Sequence, residues 1–364
     1  MTTTLRRPAT SPVPVPALRR MTGALPTWGL ITTKNLELRR RRGLMIAVLV
    51  LLVAPPVLVL GLRLLFHAVD PKTYGPAGTP GVYDGLLNTM AEFGFIIAAA
   101  FGAAAGSTDL TDGMFRNLVI TGRSRVALFL ARIPAGLMIL LPLVALAFTA
   151  VSLVTTYESG PQASYVIVAN GTVPSHLDQA QFTHLADEYP AHARELFGPA
   201  PSKLPPGESV ADYDYGLYVS AEFQQLSPPA NEMAKTGLWL ELVVGAGFMT
   251  GLGLGALTGE RTISTVLLIV LQIIVTPILA VFALPYFLDG QRLVVGVALD
   301  QLRPAYLDAS SPQTAGGGGP LHSIFGGVML RIPPMPTWAM IAVIAGWIVG
   351  WSVIGAWRMT TRDA

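Results

Sequence analysis

Six stretches of the chain are apolar at nearly every position: 44–66, 86–106, 126–154, 237–257, 262–284 and 338–357. A helix needs about 20 such residues to cross a ~30 Å hydrocarbon core, because an unpaired backbone group in lipid costs several kcal/mol. The pattern therefore predicts six transmembrane helices. The second is the most diluted, with Asn88, Thr89 and Glu92 in its first third, yet 93–105 is apolar throughout.

The polar stretches between these runs differ in kind. Residues 1–27 are rich in proline and predict a disordered tail. Residues 28–43 predict a helix lying along the inner membrane surface, anchored by Trp28 and its arginines; a plain charged anchor is the simpler alternative. The apolar run that follows is too long for the core of a signal peptide, which spans roughly 7–15 residues. Between the third and fourth runs, 156–236 predicts a small subdomain outside the membrane. Within it, 177–197 has helical character interrupted at Pro190, and 199–206 is rich in turn residues. The segment 213–225 follows, with Tyr213, Tyr215, Tyr218 and Phe223 as its ordering residues. A second outer loop, 289–337, holds an amphipathic run from Leu293 to Leu302 stopped by Pro304, then four glycines at 316–319; it predicts a half-buried helix pair at the outer leaflet.

Composition supports a membrane protein. Of 364 residues 52% are hydrophobic and 13% charged, against about a quarter charged in soluble domains. Charge position sets the expected orientation, because Lys and Arg favour cytoplasmic loops. The first 43 residues carry nine basic residues, including Arg39 to Arg42, against the single acid Glu37. The first inner loop carries Arg116, Arg123 and Arg125, whereas 156–236 holds ten acids and three bases. Both termini are thus expected in the cytoplasm. The fold class is all-α polytopic, with spans 1–3 in 44–155, spans 4–5 in 237–288, and the sixth with its tail in 338–364.

Several chemistries are excluded. There is no cysteine, so disulfides, cysteine-ligated metals and thiol nucleophiles are absent. None of the four lysines follows glycine, which rules out a P-loop. No zincin pair of histidines and no Gly-x-Ser-x-Gly turn occurs. His176, His184 and His192 recur every eight residues, a spacing that solvated surface histidines explain adequately. No catalytic, cofactor or metal residue and no nucleic-acid partner is expected.

Small residues predict how the spans meet, since backbones in lipid approach closely where side chains are absent. Gly247, Gly251, Gly255 and Gly259 recur at steps of four on the fourth span, and Gly94, Ala98, Gly102 and Gly106 on the second. Prolines 55, 56, 134, 142 and 277 remove backbone donors and bend helices. Four ionisable residues fall inside or at the edges of spans: Glu92, Glu241 and Arg63 toward the outer ends and Arg132 toward the inner end of the third. Glu92 and Glu241 are candidates for an outer polar site on a translocation path. Snorkelling of Arg63 and Glu241 to interfacial water, with Glu92 paired internally, is the plainer alternative.

The inner loop 106–125 is the most informative stretch. Leu110, Met114 and Leu118, with Phe115, form one apolar side of a short helix over 109–120, while Asp109, Asp112 and Arg116 lie exposed. Gly122, Arg123, Ser124 and Arg125 then return the chain to the membrane. This loop resembles the coupling region of type-2 ABC transporter permeases, with its Asp112-Gly113 step, Leu118 and Gly-Arg-Ser-Arg entry to the third span. The basic N-terminal helix, the six spans and the tight inner turn Gly259-Glu260-Arg261 are similar too. The outer insert at 156–236 departs from the pattern of many relatives.

The resemblance implies the membrane subunit of an exporter, paired in the bilayer with a second permease, the same or homologous, and driven by separate ATPase subunits. ATP and Mg would be bound by those partners and not by this chain. Asp109, Asp112, Met114, Arg116, Leu118, Arg123, Arg125, Glu260 and Arg261 would couple to the ATPase. An amphiphilic drug, antibiotic or lipid would be the cargo, and a bacterial cell membrane the location. An ATPase-independent transporter, or a sensor using the acidic outer subdomain, is the alternative.

Overall fold

A computed structural model describes residues 25–70, 80–111, 124–158, 165–168, 170–175, 177–188, 195–198, 209–225, 230–270, 292–304 and 335–361. Along the chain these form α1 (Trp28–Arg40), α2 (Arg42–Val69), α3 (Pro80–Thr111), α4 (Arg125–Leu130) and α5 (Arg132–Glu158). The strands β1 (Tyr165–Val168) and β2 (Gly171–Pro174) follow, then α6 (Gln179–Glu188), α7 (Val210–Gln225), α8 (Ala230–Thr258), α9 (Arg261–Ile269), α10 (Val295–Gln301) and α11 (Thr337–Thr361). Five of the described segments are long and apolar enough to cross a membrane: α2, α3, α4 with α5, α8 and α11. The molecule is a polytopic helical membrane protein. The expected span at 262–284 is described only at its start, as α9; its remainder, with Pro277, lies outside the described residues.

Local chemistry sets the breaks. The chain turns from α1 into α2 at Arg41 (φ −78°, ψ 72°), whose N–H closes α1 on the Leu38 carbonyl. The expected third span is divided at Ala131. Pro134 explains this, since it has no N–H to offer the Leu130 carbonyl four residues earlier. The turn between α8 and α9 places Gly259 at φ +76°, a left-handed conformation that a side chain disfavours.

Helices also outrun the apolar stretches. α8 starts at Ala230 rather than 237, its first turns supported by a Glu232–Lys235 ion pair at 2.6 Å. α3 runs through 109–111, the first three residues of the expected coupling helix 109–120; the rest of that helix lies outside the described residues. Hydropathy marks where lipid lies, whereas a helix continues until its backbone is capped.

At the centre, α3 and α8 run parallel in the most extensive helix contact of the bundle. Within their most apolar windows 67% and 78% of residues are buried, against 22% in α2 and 17% in α11. α2, α5 and α11 pack around this pair and present Leu58, Leu146, Leu153, Val349 and Val353 outward. Such exposed apolar faces are what lipid solvates.

The segment beyond α5 forms a separate small core of Val166, Val168, Val173, Phe182, Leu196 and Tyr218. Here the sequence reading missed an antiparallel hairpin, β1–β2, in which Tyr165 faces Pro174 and Val168 faces Gly171. Four residues per strand are too few for alternation to announce itself against a helical alternative. Two capping boxes start the helices. At α6, Gln181 N–H donates to Asp178 (2.7 Å) and Asp178 N–H to the Gln181 side chain (3.1 Å). At α7, Asp212 N–H donates to Ser209 Oγ (3.1 Å), while Asp212 accepts from the Ser209 hydroxyl and N–H (2.7 and 3.0 Å). Phe182 sits amid Phe197, Tyr215 and Tyr218, with ring centroids 5.2–5.6 Å away. Of the aromatics expected to order this region, Tyr215 and Tyr218 join its core; Tyr213 is half-buried and the Phe223 side chain lies outside the described residues.

Candidate functional site

The bundle has two polar ends. One carries Arg39 to Arg42, Arg125, Arg261 and Arg358 and is called the basic end below; the other carries the hairpin subdomain and α10.

At the basic end, 112–123 lies outside the described residues, and with it Asp112, Met114, Arg116, Leu118 and Arg123. Asp109 falls in the last turn of α3, its side chain likewise outside. The flanks of the loop are firmly held. Ser124 caps α4 by accepting from Ala127 N–H at 3.2 Å. Arg125 donates to the Thr360 carbonyl at 3.1 Å, a cation on the C-terminal turn of α11 where carbonyls lack helical partners. Arg132, 2% exposed, donates to the Gly106 carbonyl at 2.7 Å and ties α5 to α3.

α1 is docked against the bundle. Leu30, Lys34 and Leu38, spaced by four, form its buried face, and Leu30 packs with Ala127, Leu128 and Ala131. Asn35 donates to the Ala135 carbonyl at 2.9 Å. Lys34 is buried yet reaches Glu37 at 2.8 Å. Trp28 is exposed, as an interfacial anchor would be. Glu260 precedes α9 in extended conformation, and its carbonyl accepts from Ser264 Oγ at 2.7 Å. Arg261 lines a cavity with Arg41 and Arg42.

The glycine residues form a seam. Gly94 lies against Val244 and Gly102 against the Phe248 carbonyl, while Gly247, Gly251 and Gly255 lie over the backbone at Phe95, Ala99 and Ala103. A methyl group at Gly251 would sit on the Ala99 carbonyl. The two small-residue faces therefore meet each other.

At the far end, α10 is clamped to three spans. Asp84 on α3 and Arg303 form a buried ion pair. Trp239 Nε1 on α8 donates to the Leu299 carbonyl at 2.7 Å, and Trp347 Nε1 on α11 to the Leu293 carbonyl at 2.6 Å. Trp347 lies ten residues into α11, which is about 15 Å along its axis, so this segment reaches into the bundle rather than resting on it. Glu92 and Glu241 are each half-buried on α3 and α8. The hydroxyls of Tyr83, Ser152 and Thr155 are buried, and the Tyr83 hydroxyl faces those of Ser152 and Thr236, a small polar group between α3, α5 and α8.

The sequence reading passed over Asp84, Arg303 and these hydroxyls. A charge placed just before Pro304 was the available signal for Arg303; hydroxyls on three separate helices gave none. His184 is exposed, and His176 and His192 lie outside the described residues.

No protein-family model and no curated protein matches this chain.

Proposed function

We propose that this protein is the permease subunit of an ATP-driven exporter of the type-2 ABC class, moving an amphiphilic drug, antibiotic or lipid outward. The observation that carries the proposal is the inner loop 106–125 and its resemblance to the coupling region of such permeases. The docked surface helix α1, the anchored flanks of that loop and the tight α8–α9 turn support it, because a coupling element transmits force only if its ends are fixed. In this reading the chain has six spans with both termini in the cytoplasm of a bacterial cell, and two permeases pair beneath two ATPases. The ATPases bind ATP and Mg. Their closure pushes the 109–120 segment, and the spans exchange an inward for an outward opening. The ligand must bind these two states differently for the exchange to move it. Glu92 and Glu241, with the buried hydroxyls of Tyr83, Ser152 and Thr155, would offer polar contacts near the exit.

Purification of the tagged chain from its host in mild detergent, followed by mass spectrometry, tests the proposal. A stoichiometric P-loop ATPase is expected; its reproducible absence from folded preparations would sink the reading. Arg116→Glu should keep insertion and lose the ATPase. For orientation, Ser209→Cys in this cysteine-free chain should react with an impermeant thiol reagent in intact cells, and labelling only after lysis would reverse the topology.

A further inference from the structure

A cavity of about 400 Å³ opens at the basic end, lined by Arg41, Arg42, Gly43, Leu44, Ala104, Ser107, Thr108 and Arg261. It lies where the α1–α2 joint, the last turns of α3 and the start of α9 converge. Its size falls in the range of ligand pockets, roughly 300–1,000 Å³. Among the described residues that line it, Arg41, Arg42 and Arg261 carry guanidinium groups. Guanidinium groups gathered beside an apolar layer, where screening by water is weaker, attract an anion.

The backbone points the same way. The first intrahelical bond of α2 runs from Met45 N–H to the Arg41 carbonyl, so the N–H groups of Arg42, Gly43 and Leu44 have no helical acceptor. The same holds at α9, where bonding begins with Ser264 N–H to Glu260. Both helix N-termini add partial positive charge beside the arginines. Among the described residues no atom lies within 4 Å of where a Cβ on Gly43 would stand, so none of them bars approach to that backbone. The long apolar α2 begins here, which puts the cavity at the membrane boundary.

We propose that this cavity binds a phosphate-bearing anion, held by Arg41, Arg42 and Arg261 and by the amides that open α2 and α9. Guanidinium forks suit phosphate oxygens because two parallel N–H bonds match two oxygens. The phosphate is carried either by a phospholipid headgroup of the adjacent leaflet, where anionic lipids gather basic segments, or by a soluble compound. Once bound, it joins α2 to α9 across the end of α3. This inference does not depend on the exporter reading.

The test uses the full chain in phosphatidylcholine nanodiscs and reads the thermal midpoint. Three arms are compared: phosphatidylcholine alone, added phosphatidylglycerol, and inorganic phosphate against chloride at equal ionic strength. A rise with phosphatidylglycerol only assigns a lipid headgroup; a rise with inorganic phosphate assigns a soluble anion. In R41Q/R42Q/R261Q the rise should fall several-fold, and in R39Q/R40Q, which alters neighbouring arginines outside the cavity, it should persist. R261Q leaves the basic run before α2 intact and makes the same comparison if the triple variant does not insert. No rise in the unaltered protein, or equal losses in the cavity and neighbouring variants, overturns the proposal.

Discussion

The glycine seam of α3 and α8 and the aromatic core of the hairpin subdomain solve one packing problem in opposite ways. Lipid already solvates apolar side chains, so the seam gains its contact by removing them: Gly247, Gly251 and Gly255 set backbone on backbone. In water, burying a large ring is itself the driving force, and the subdomain centres on Phe182 with Phe197, Tyr215 and Tyr218. The same substitution, a change in side-chain size, should therefore have opposite sign in the two regions.

The largest expected effect is on the aromatic side. Phe182→Ala should cost roughly 3–5 kcal/mol and confine its damage: 165–225 becomes protease-sensitive while the detergent melting of the bundle is unchanged. Equal loss in both would show that they fold as one unit. Enlarging the seam comes next. Gly251→Ala sets a methyl on the Ala99 carbonyl and should cost about 3 kcal/mol, the upper part of the overpacking range, because backbone cannot rotate aside as a side chain can. Gly245→Ala, on the same helix but facing open space, should be neutral or stabilising by up to ~1 kcal/mol. A loss at position 245 equal to that at 251 would refute the seam as the cause.

Smaller effects belong to the caps. Ser209→Ala removes one half of the α7 capping box and should cost about 1 kcal/mol of subdomain stability in thermal scans. The hydroxyl and N–H of Ser209, with the Gln179 side chain, hold the Asp212 carboxyl below the usual aspartate range. A depressed folded value means that Asp212 supports the fold above its unfolded pKa, roughly 3.9, and loses that support as pH falls through the folded value. Protease sensitivity of the subdomain should rise in that acid window, while Asp212→Asn should flatten the dependence. An unchanged profile in Asp212→Asn would assign the acid effect to another group. The glycine seam carries no titratable group and should not respond.

Most of the membrane layer was legible in the chain. Runs of apolar residues mark the five spans described in full, and small residues at steps of four mark the faces of α3 and α8. The edges were less visible. α3 and α8 extend past the apolar runs because Asn231, Glu232 and Lys235, or Ser107 and Thr108, are compatible with helix without being lipophilic. The hairpin was hidden because Tyr165 to Val168 is as apolar as a buried helical turn. The far-end clamp was hidden for a different reason, since Asp84 and Arg303 are 219 residues apart and each alone reads as an ordinary loop charge.

The amino-acid sequence by itself determined what is local: which segments suit lipid, where proline and glycine break helices, and which faces are small enough for close approach. These follow from the solvation and geometry of single residues and their near neighbours. Only the tertiary structure decided that the two small faces meet each other in parallel, that α10 enters the bundle to be held by Asp84, Trp239 and Trp347, and that Arg41, Arg42 and Arg261 surround one cavity. Pairing of distant segments depends on the packing of the whole chain, and no short window of sequence contains it.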